Sequence, residues 1–310
     1  GPFELLDLIG IDVNLAASES VYRAFYEEPR FRPHPLQRAM VEAGLLGRKT
    51  GRGFYTYDDG GDRTGRAPDA HGSSGSSPRE RGADVAGRAP LRLGTTPAFH
   101  VVGEGSVAAA LRAALPLTAD PAAASLVLDA RLDAPAGDGV THRAVLTWGH
   151  SAAAAREKLG FSLVPVPGGG PLTVELMAAG SLPGEQPAPV VEAARVALEA
   201  AGASVVMLPD IPGGAAFRVV ARLFDEAVRA LTEGLATAAE LDLAMRLGVN
   251  YPAGPLEWGE ALGLRDVHAA LRSLQDETSD ARFAPHPWLA RLAALGARRL
   301  PRGTMEGEET

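Results

Sequence analysis

Apolar residues recur at helical spacing through the start of the chain: Leu5, Leu8, Ile9, Val13, Val21 and Phe25, then Leu36, Met40 and Val41. Residues three and four apart share one face of a helix, so this front piece is expected to be all-helical. The pattern changes at AFHVVGEGSVAAALRAAL, residues 98–115, where a short β-prone run precedes glycines and an alanine-rich helical pattern follows. Strand, tight turn and helix are the expected order. SLVLDA, RAVLTW and FSLVPVP read as further strands, followed by a helix from Pro189 to Ala201 and a strand in ASVVMLPD. Strands that alternate with helices predict a parallel sheet with right-handed crossovers. From Gly214 the helical period returns, with Phe217, Val220, Phe224, Ala227, Val228 and Leu231 on one face. Thr237 and Glu240 form a capping-box pattern that opens the next helix.

Between Asp58 and Pro90 the chain is rich in Gly, Ser, Pro and charge and almost empty of large apolar side chains. Such a segment cannot bury enough surface to offset its ordering entropy and is expected to be a flexible linker. The predicted organisation is a helical module at 1–57, the linker at 58–90, a sheet domain at 91–209, a second helical module at 210–300 and a tail at 301–310. A repeat joins the two helical parts. GPFELLDLIGIDVNLAA at Gly1 is echoed by GPLEWGEALGLRDVHAA at Gly254, and RFRPHP at Arg30 by RFAPHP at Arg282. Two elements that stay in register to within one residue indicate a duplicated module.

A length of 310 residues is enough for two modest cores. The net charge of −8, without a Lys/Arg block interleaved with aromatics, argues against a nucleic-acid partner. The absence of Cys removes disulfides, thiolate nucleophiles and Cys-based metal sites, and is compatible with a reducing cytosol. No run approaches the roughly 20 apolar residues of a spanning helix, and the start lacks a signal-peptide layout, so a soluble cytoplasmic protein is expected.

Gly103-Glu104-Gly105-Ser106-Val107-Ala108 is a G-x-G-x-x-A turn between a strand and a helix, the context in which a pyrophosphate approaches a helix N-terminus. Asp129 is the candidate ribose-binding acid. Against this, a strand-to-helix turn needs glycine for its own geometry, and Glu104 places negative charge where phosphates would sit. Dinucleotide binding and a vestigial nucleotide fold both remain open here. Gly149-His150-Ser151-Ala152-Ala153 comes near the G-x-S-x-G nucleophile elbow, but its last glycine is alanine and Ser151 reads equally as a helix N-cap. His34 and His286 lie in matching Pro-His-Pro loops, where a structural hydrogen bond is expected. With no H-x-x-x-H or H-E-x-x-H spacing, a metal site is not. Glu175 is a lone carboxylate in the apolar run PLTVELM, where burial would raise its pKa toward general-base duty.

Together these stretches resemble the bacterial 3-hydroxyacyl-CoA dehydrogenases of the 3-hydroxybutyryl-CoA type, in the long form with two C-terminal helical modules. GPFELLDLIGIDVN and GLLGRKTGRGFY (Gly44 to Tyr55) resemble the first helical module. DIPGG (Asp210 to Gly214) resembles the motif D-T-P-G-F ahead of the second. The resemblance implies an α/β plus all-α architecture: a reduced Rossmann-like parallel sheet flanked by helical modules. It implies NAD as cofactor, an acyl-CoA substrate in fatty-acid or phenylacetate-type degradation, and a homodimer formed through the helical modules. In the family a His in G-L-H-F-F-N-P takes the hydroxyl proton and a Glu assists it. GFSLVPVP puts Ser162 at the position of that His, Glu175 matches the Glu, and Phe217 stands where D-T-P-G-F is followed by Asn. The middle domain is therefore expected to be a degenerate copy in which Gly103 and Gly105 are vestigial. Because the first copy of the repeat lacks counterparts of the helices ahead of Gly254, a catalytic domain is expected across a cut ahead of Gly1. The alternatives are a non-catalytic scaffold built of dehydrogenase modules and a Ser151 hydrolase.

Overall fold

The protein is described from a computed structural model that covers residues 2–58, 60–66, 97–134, 142–181 and 188–301. It divides into two compact units, Gly1–Arg88 and Ala89–Thr310.

In the first unit α1 (Pro2–Ile9) and α2 (Ile11–Ala24) meet at Gly10, and α3 (Pro35–Glu42) follows a short 3-10 turn at Pro29–Phe31. The unit is not all-helical. β1 (Tyr55–Tyr57) pairs antiparallel with β2 (Arg63–Arg66), which lies inside the stretch expected to be linker. Residues 59 and 67–90 of that stretch, with His71, lie outside the described residues, as do tail residues 302–310. The hairpin escapes a periodicity reading because its strands are short and polar, and Asp58 closes it locally by accepting from the amides of Gly60 and Asp62. Asp7, buried on α1, accepts from the amides of Phe54 and Tyr55 and from the Tyr57 hydroxyl, each at 2.9 Å, and so fastens the hairpin to the helix. Burial and the Asp7 carboxylate push the Tyr57 phenol up to about 12.

The second unit is built on a sheet of β3 (Phe99–Val102), β4 (Leu126–Asp129), β5 (Arg143–Leu146), β6 (Leu159–Ser162), β7 (Thr173–Ala178) and β8 (Ser204–Leu208), hydrogen-bonded in chain order. The sheet is parallel-dominated, as expected, with all neighbours parallel except β6 and β7, which are antiparallel. Only residues 163–172 join those two strands, too few for the helix-bearing crossover that a parallel pair needs. Pro165 and Pro167 lie beyond the end of β6, which stops at Ser162. β4, β5 and β6 are buried at every position, as strands covered on both faces must be. α4 (Gly105–Ala114) follows β3, and α5 (Pro189–Ala200) lies between β7 and β8.

The helical part comprises α6 (Ala216–Thr232), α7 (Ala238–Val249), α8 (Pro255–Leu262), α9 (Leu264–Thr278) and α10 (Pro287–Ala294). Phe217, Phe224 and Leu231 of α6, Leu256 and Leu262 of α8 and Leu271 of α9 share one core with the sheet. The repeat read from sequence is also a repeat of geometry. α1–Gly10–α2 and α8–Gly263–α9 have the same layout, each helix pair hinged on a glycine, with φ 103°, ψ 125° at Gly10 and φ 98°, ψ 118° at Gly263. The Pro-His-Pro loops match as well: the Nδ1 of His34 accepts from Leu36, and that of His286 from Trp288, so both are helix caps.

Gly263→Ala isolates the backbone cost of this hinge, since an added Cβ would come no closer than 3.5 Å to Asp266. A loss of roughly 1–3 kcal/mol is expected, read as a lower urea midpoint with an unchanged slope.

Candidate functional site

Glu175 on β7 and Ser162 on β6 are register partners across the antiparallel pair, which places their side chains on one face of the sheet. That face meets the start of α6. The Glu175 carboxylate accepts from the amide of Ala215 at 3.1 Å and of Ala216 at 2.9 Å, the first donors of the helix. Burial drives the Glu175 pKa above the usual carboxylate value; the Ala216 amide, the Ser162 hydroxyl and the Ala215 amide each oppose the shift. Ser162 donates to the Gly213 carbonyl at 3.3 Å. Gly214, at φ +60°, is what allows this approach: a Cβ there would lie 2.2 Å from Glu175 Oε2 and 2.8 Å from Ser162 Cβ. Glu175 is thus raised in pKa as its setting predicts, yet both its oxygens are occupied in holding a helix N-terminus.

In the first turn of α6, Phe217 is fully buried and stacks on Trp148, with ring centroids 4.4 Å apart and planes 12° from parallel. Trp148 Nε1 donates to the Leu163 carbonyl just past β6. The position resembling a polar contact to substrate is therefore filled by two aromatic rings. Asp210, the Asp of DIPGG, accepts from the amides of Ala152, Ala153 and Gly180 and ties the loop after β5 to the end of β7.

Gly103 and Gly105 do form the turn between β3 and α4, at φ 98° and 92°. The surroundings do not suit a dinucleotide. β3 is the edge strand, so the described sheet has no reversal of strand order and no crevice beside this turn. Asp129 is not a free ribose acid, and that reading is corrected. It is fully buried at the end of β4, bound through Oδ1 to Arg131 Nε at 2.9 Å and through Oδ2 to Arg131 and Arg143, both at 2.6 Å. Burial alone would raise its pKa, but the Arg131 and Arg143 hydrogen bonds prevail and hold it below the usual range. Arg143 also pairs with Glu157 at 2.8 Å. The Arg131 stem lies over the turn, its Cγ 3.0 Å from where a Cβ of Gly103 would stand. Arg112, on α4, donates to the Gly103 carbonyl at 2.6 Å.

Ser151 is not placed as a nucleophile. Its hydroxyl lies 2.6 Å from Glu277 Oε1 and accepts from the Ala154 amide, and its own amide donates to the same carboxylate. Neighbouring His150 has its pKa lowered by burial, against the pull of Glu277 and Asp210, and no hydrogen bond to Ser151 is among its contacts. Among the described residues no group of His, Asp and Glu is arranged to hold a metal ion, and no helix is long and apolar enough to cross a membrane. The Arg131–Asp129–Arg143–Glu157 network was not foreseen. Its signal in sequence is Arg143 opening the otherwise apolar strand RAVL, because a charge on a covered strand requires a partner.

Two predictions follow from these contacts. Glu175→Ala leaves the amides of Ala215 and Ala216 without this acceptor and is expected to cost about 1–2 kcal/mol in chemical denaturation. For Asp129, a folded pKa below the unfolded value of about 3.9 means a contribution present at neutral pH and lost as pH falls through the folded value. The stability gap between the wild type and Asp129→Asn is therefore expected to be wide at pH 7 and to close in acid, as measured by unfolding at a series of pH values.

Residues 1–57 and 213–307 match the sequence profile of the 3-hydroxyacyl-CoA dehydrogenase C-terminal domain. The chain is 30% identical over 295 residues to a 3-hydroxyadipyl-CoA dehydrogenase of Escherichia coli (strain K12), covering 95% of this chain and 51% of that protein. It is 36% identical over 102 residues to a 3-hydroxybutyryl-CoA dehydrogenase of Clostridioides difficile, covering 33% of this chain and 36% of that one. Among solved structures, a 3-hydroxybutyryl-CoA dehydrogenase from Escherichia coli K12 superposes with a TM-score of 0.63 at 29% identity, over 96% of this chain and 51% of the other. The chain thus spans about half the length of the Escherichia coli proteins it matches. Helical-module sequence, overall similarity and fold all support the 3-hydroxyacyl-CoA dehydrogenase family for this chain.

Proposed function

We propose that this chain is a structural part of an NAD-dependent 3-hydroxyacyl-CoA dehydrogenase, and that the hydride transfer is carried out by a nucleotide domain outside the residues described here. The middle domain then serves to hold the second helical module, which contributes to acyl-CoA binding or to pairing of subunits, rather than to carry the reaction.

The observation that carries this reading is the engagement of Glu175. Oxidation of a 3-hydroxyl group requires a base to take the hydroxyl proton while hydride leaves the carbon. In the family's arrangement an imidazole accepts that proton and a glutamate orients it. Here the matching positions hold a hydroxyl, Ser162, and a carboxylate already bound to the amides of Ala215 and Ala216. A serine hydroxyl is far too weak a base at neutral pH. Phe217 against Trp148 and the arginine-bound Asp129 support the same reading from the substrate and cofactor sides.

The test is NADH formation, followed by absorbance, from 3-hydroxybutyryl-CoA and NAD with this polypeptide alone. No turnover above the buffer rate is expected. Ser162→His is expected to be equally inactive, because the restored imidazole would face a committed carboxylate and a filled cavity. Turnover at ordinary dehydrogenase rates by the unmodified chain would overturn the reading.

A further inference from the structure

A groove of about 400 Å³ runs along α6 on the side turned away from Phe217, Phe224 and Leu231, beside the 3-10 turn Ala281–Phe283 that precedes α10. Its walls are of two kinds. Val219 and Leu223, four residues apart on one face of the helix, are apolar, as is the Phe283 ring. Arg218, Arg222 and Arg282 bring guanidinium groups to the same groove.

The cations differ in their partners. Arg222 is held by Asp225 at 2.9 Å and by Glu226 at 2.7 Å. Asp280 accepts from the Arg282 guanidinium at 3.0 and 2.7 Å and from the Arg282 amide at 2.9 Å. Arg218 is half-buried and forms no ion pair with a described residue. Its guanidinium lies 4.7 Å over the Phe283 ring and donates to the Pro212 carbonyl at 3.3 Å. Burial pulls the Arg218 pKa below the usual guanidinium value; Asp280 opposes that shift and Arg282 adds to it. A guanidinium has five donors and keeps its charge at neutral pH, so Arg218 brings spare donors and an unpaired charge to an apolar groove. The aromatic ring behind it fixes the plane in which those donors lie. Such a pairing of one oriented charge with apolar walls recognises an anion carried on an apolar chain. Glu226 lines the same groove and Asp280 lies near Arg218, so a singly charged carboxylate suits it better than a phosphate dianion.

We propose that the groove between α6 and the Ala281–Phe283 turn binds a carboxylate borne on a short apolar chain. Arg218 takes the carboxylate, Phe283 backs the guanidinium, and Val219 and Leu223 take the chain. The inference goes beyond the dehydrogenase reading and does not rest on it, because neither Glu175 nor the β3–α4 turn contributes to this groove.

The experiment is a ligand-observed NMR titration of the full chain with hexanoate, beside acetate, hexan-1-ol and hexyl phosphate. Saturable binding of hexanoate is expected, with a Kd on the order of a millimolar for a ligand of this size. Acetate, which lacks the chain, and hexan-1-ol, which lacks the charge, should each bind about tenfold more weakly or worse. Arg218→Gln should weaken hexanoate about tenfold. Because Arg218 also touches Phe283 and Pro212, a second pair of variants separates binding from folding. Val219 is 58% exposed, so Val219→Glu and Val219→Lys are expected to keep the fold, which circular dichroism checks. Val219→Glu should weaken hexanoate about tenfold by bringing a like charge to the groove, and Val219→Lys should bind it at least as well as the wild type. Absence of saturable hexanoate binding, equal binding by hexan-1-ol, or binding indifferent to Val219→Glu would overturn the proposal. Tighter binding of hexyl phosphate than of hexanoate would overturn it too, by giving the groove to a phosphate.

Discussion

The carboxylate of Glu175 at the start of α6 is the interaction on which the second unit turns. A helix begins with amides that have no partner within the helix, and leaving them buried and unpaired is costly. Here the sheet supplies the acceptor: a side chain from the middle of β7 reaches the first two donors of α6. The same first turn of that helix lays Phe217 on Trp148, and about two turns further on Phe224 lies against α8. One carboxylate thereby sets the position of the helix that joins sheet and helical module. The same contact explains Gly214, since any side chain at that residue would strike the carboxylate. A residue matching a catalytic glutamate by sequence is, in this chain, an anchor.

The duplicated module shows the same chemistry used twice with different outcomes. Acidic side chains fasten loops to helices in both copies: Asp7 takes two amides and a phenol in the first, and Glu260, at the equivalent place, takes the Leu300 amide in the second. The hinge glycines and the histidine caps are likewise shared. What differs is the apolar face, covered by α6 in one module and open in the other. Polar fastenings are local and are kept in both copies.

Much of the architecture is legible in the residues. The change of period at Phe99 and again near Gly214 marks where sheet gives way to helix, and the repeat locates the module pair. The antiparallel β6–β7 pair is not legible from strand patterns, because apolar runs carry no direction; only the short connection between them does. The hairpin of β1 and β2 is hidden by its polar composition. At the candidate site, the sequence brings out Glu175, Ser162 and Phe217, but their roles depend on partners forty or more residues away that no local pattern names. Asp129 illustrates this most sharply: its spacing from the glycine turn fits ribose recognition, and only the approach of Arg131 and Arg143 reveals a closed ionic network.

The anchoring role of Glu175 is tested most directly by amide hydrogen exchange in native conditions, resolved at Ala215 and Ala216. In the wild type these two amides are expected to exchange as slowly as the central strands. In Glu175→Gln, whose amide group can accept only one such bond well, they are expected to exchange much faster while β4 and β5 remain protected. Equal protection of both amides in wild type and variant would contradict the account, because the start of α6 would then be held by something other than this carboxylate.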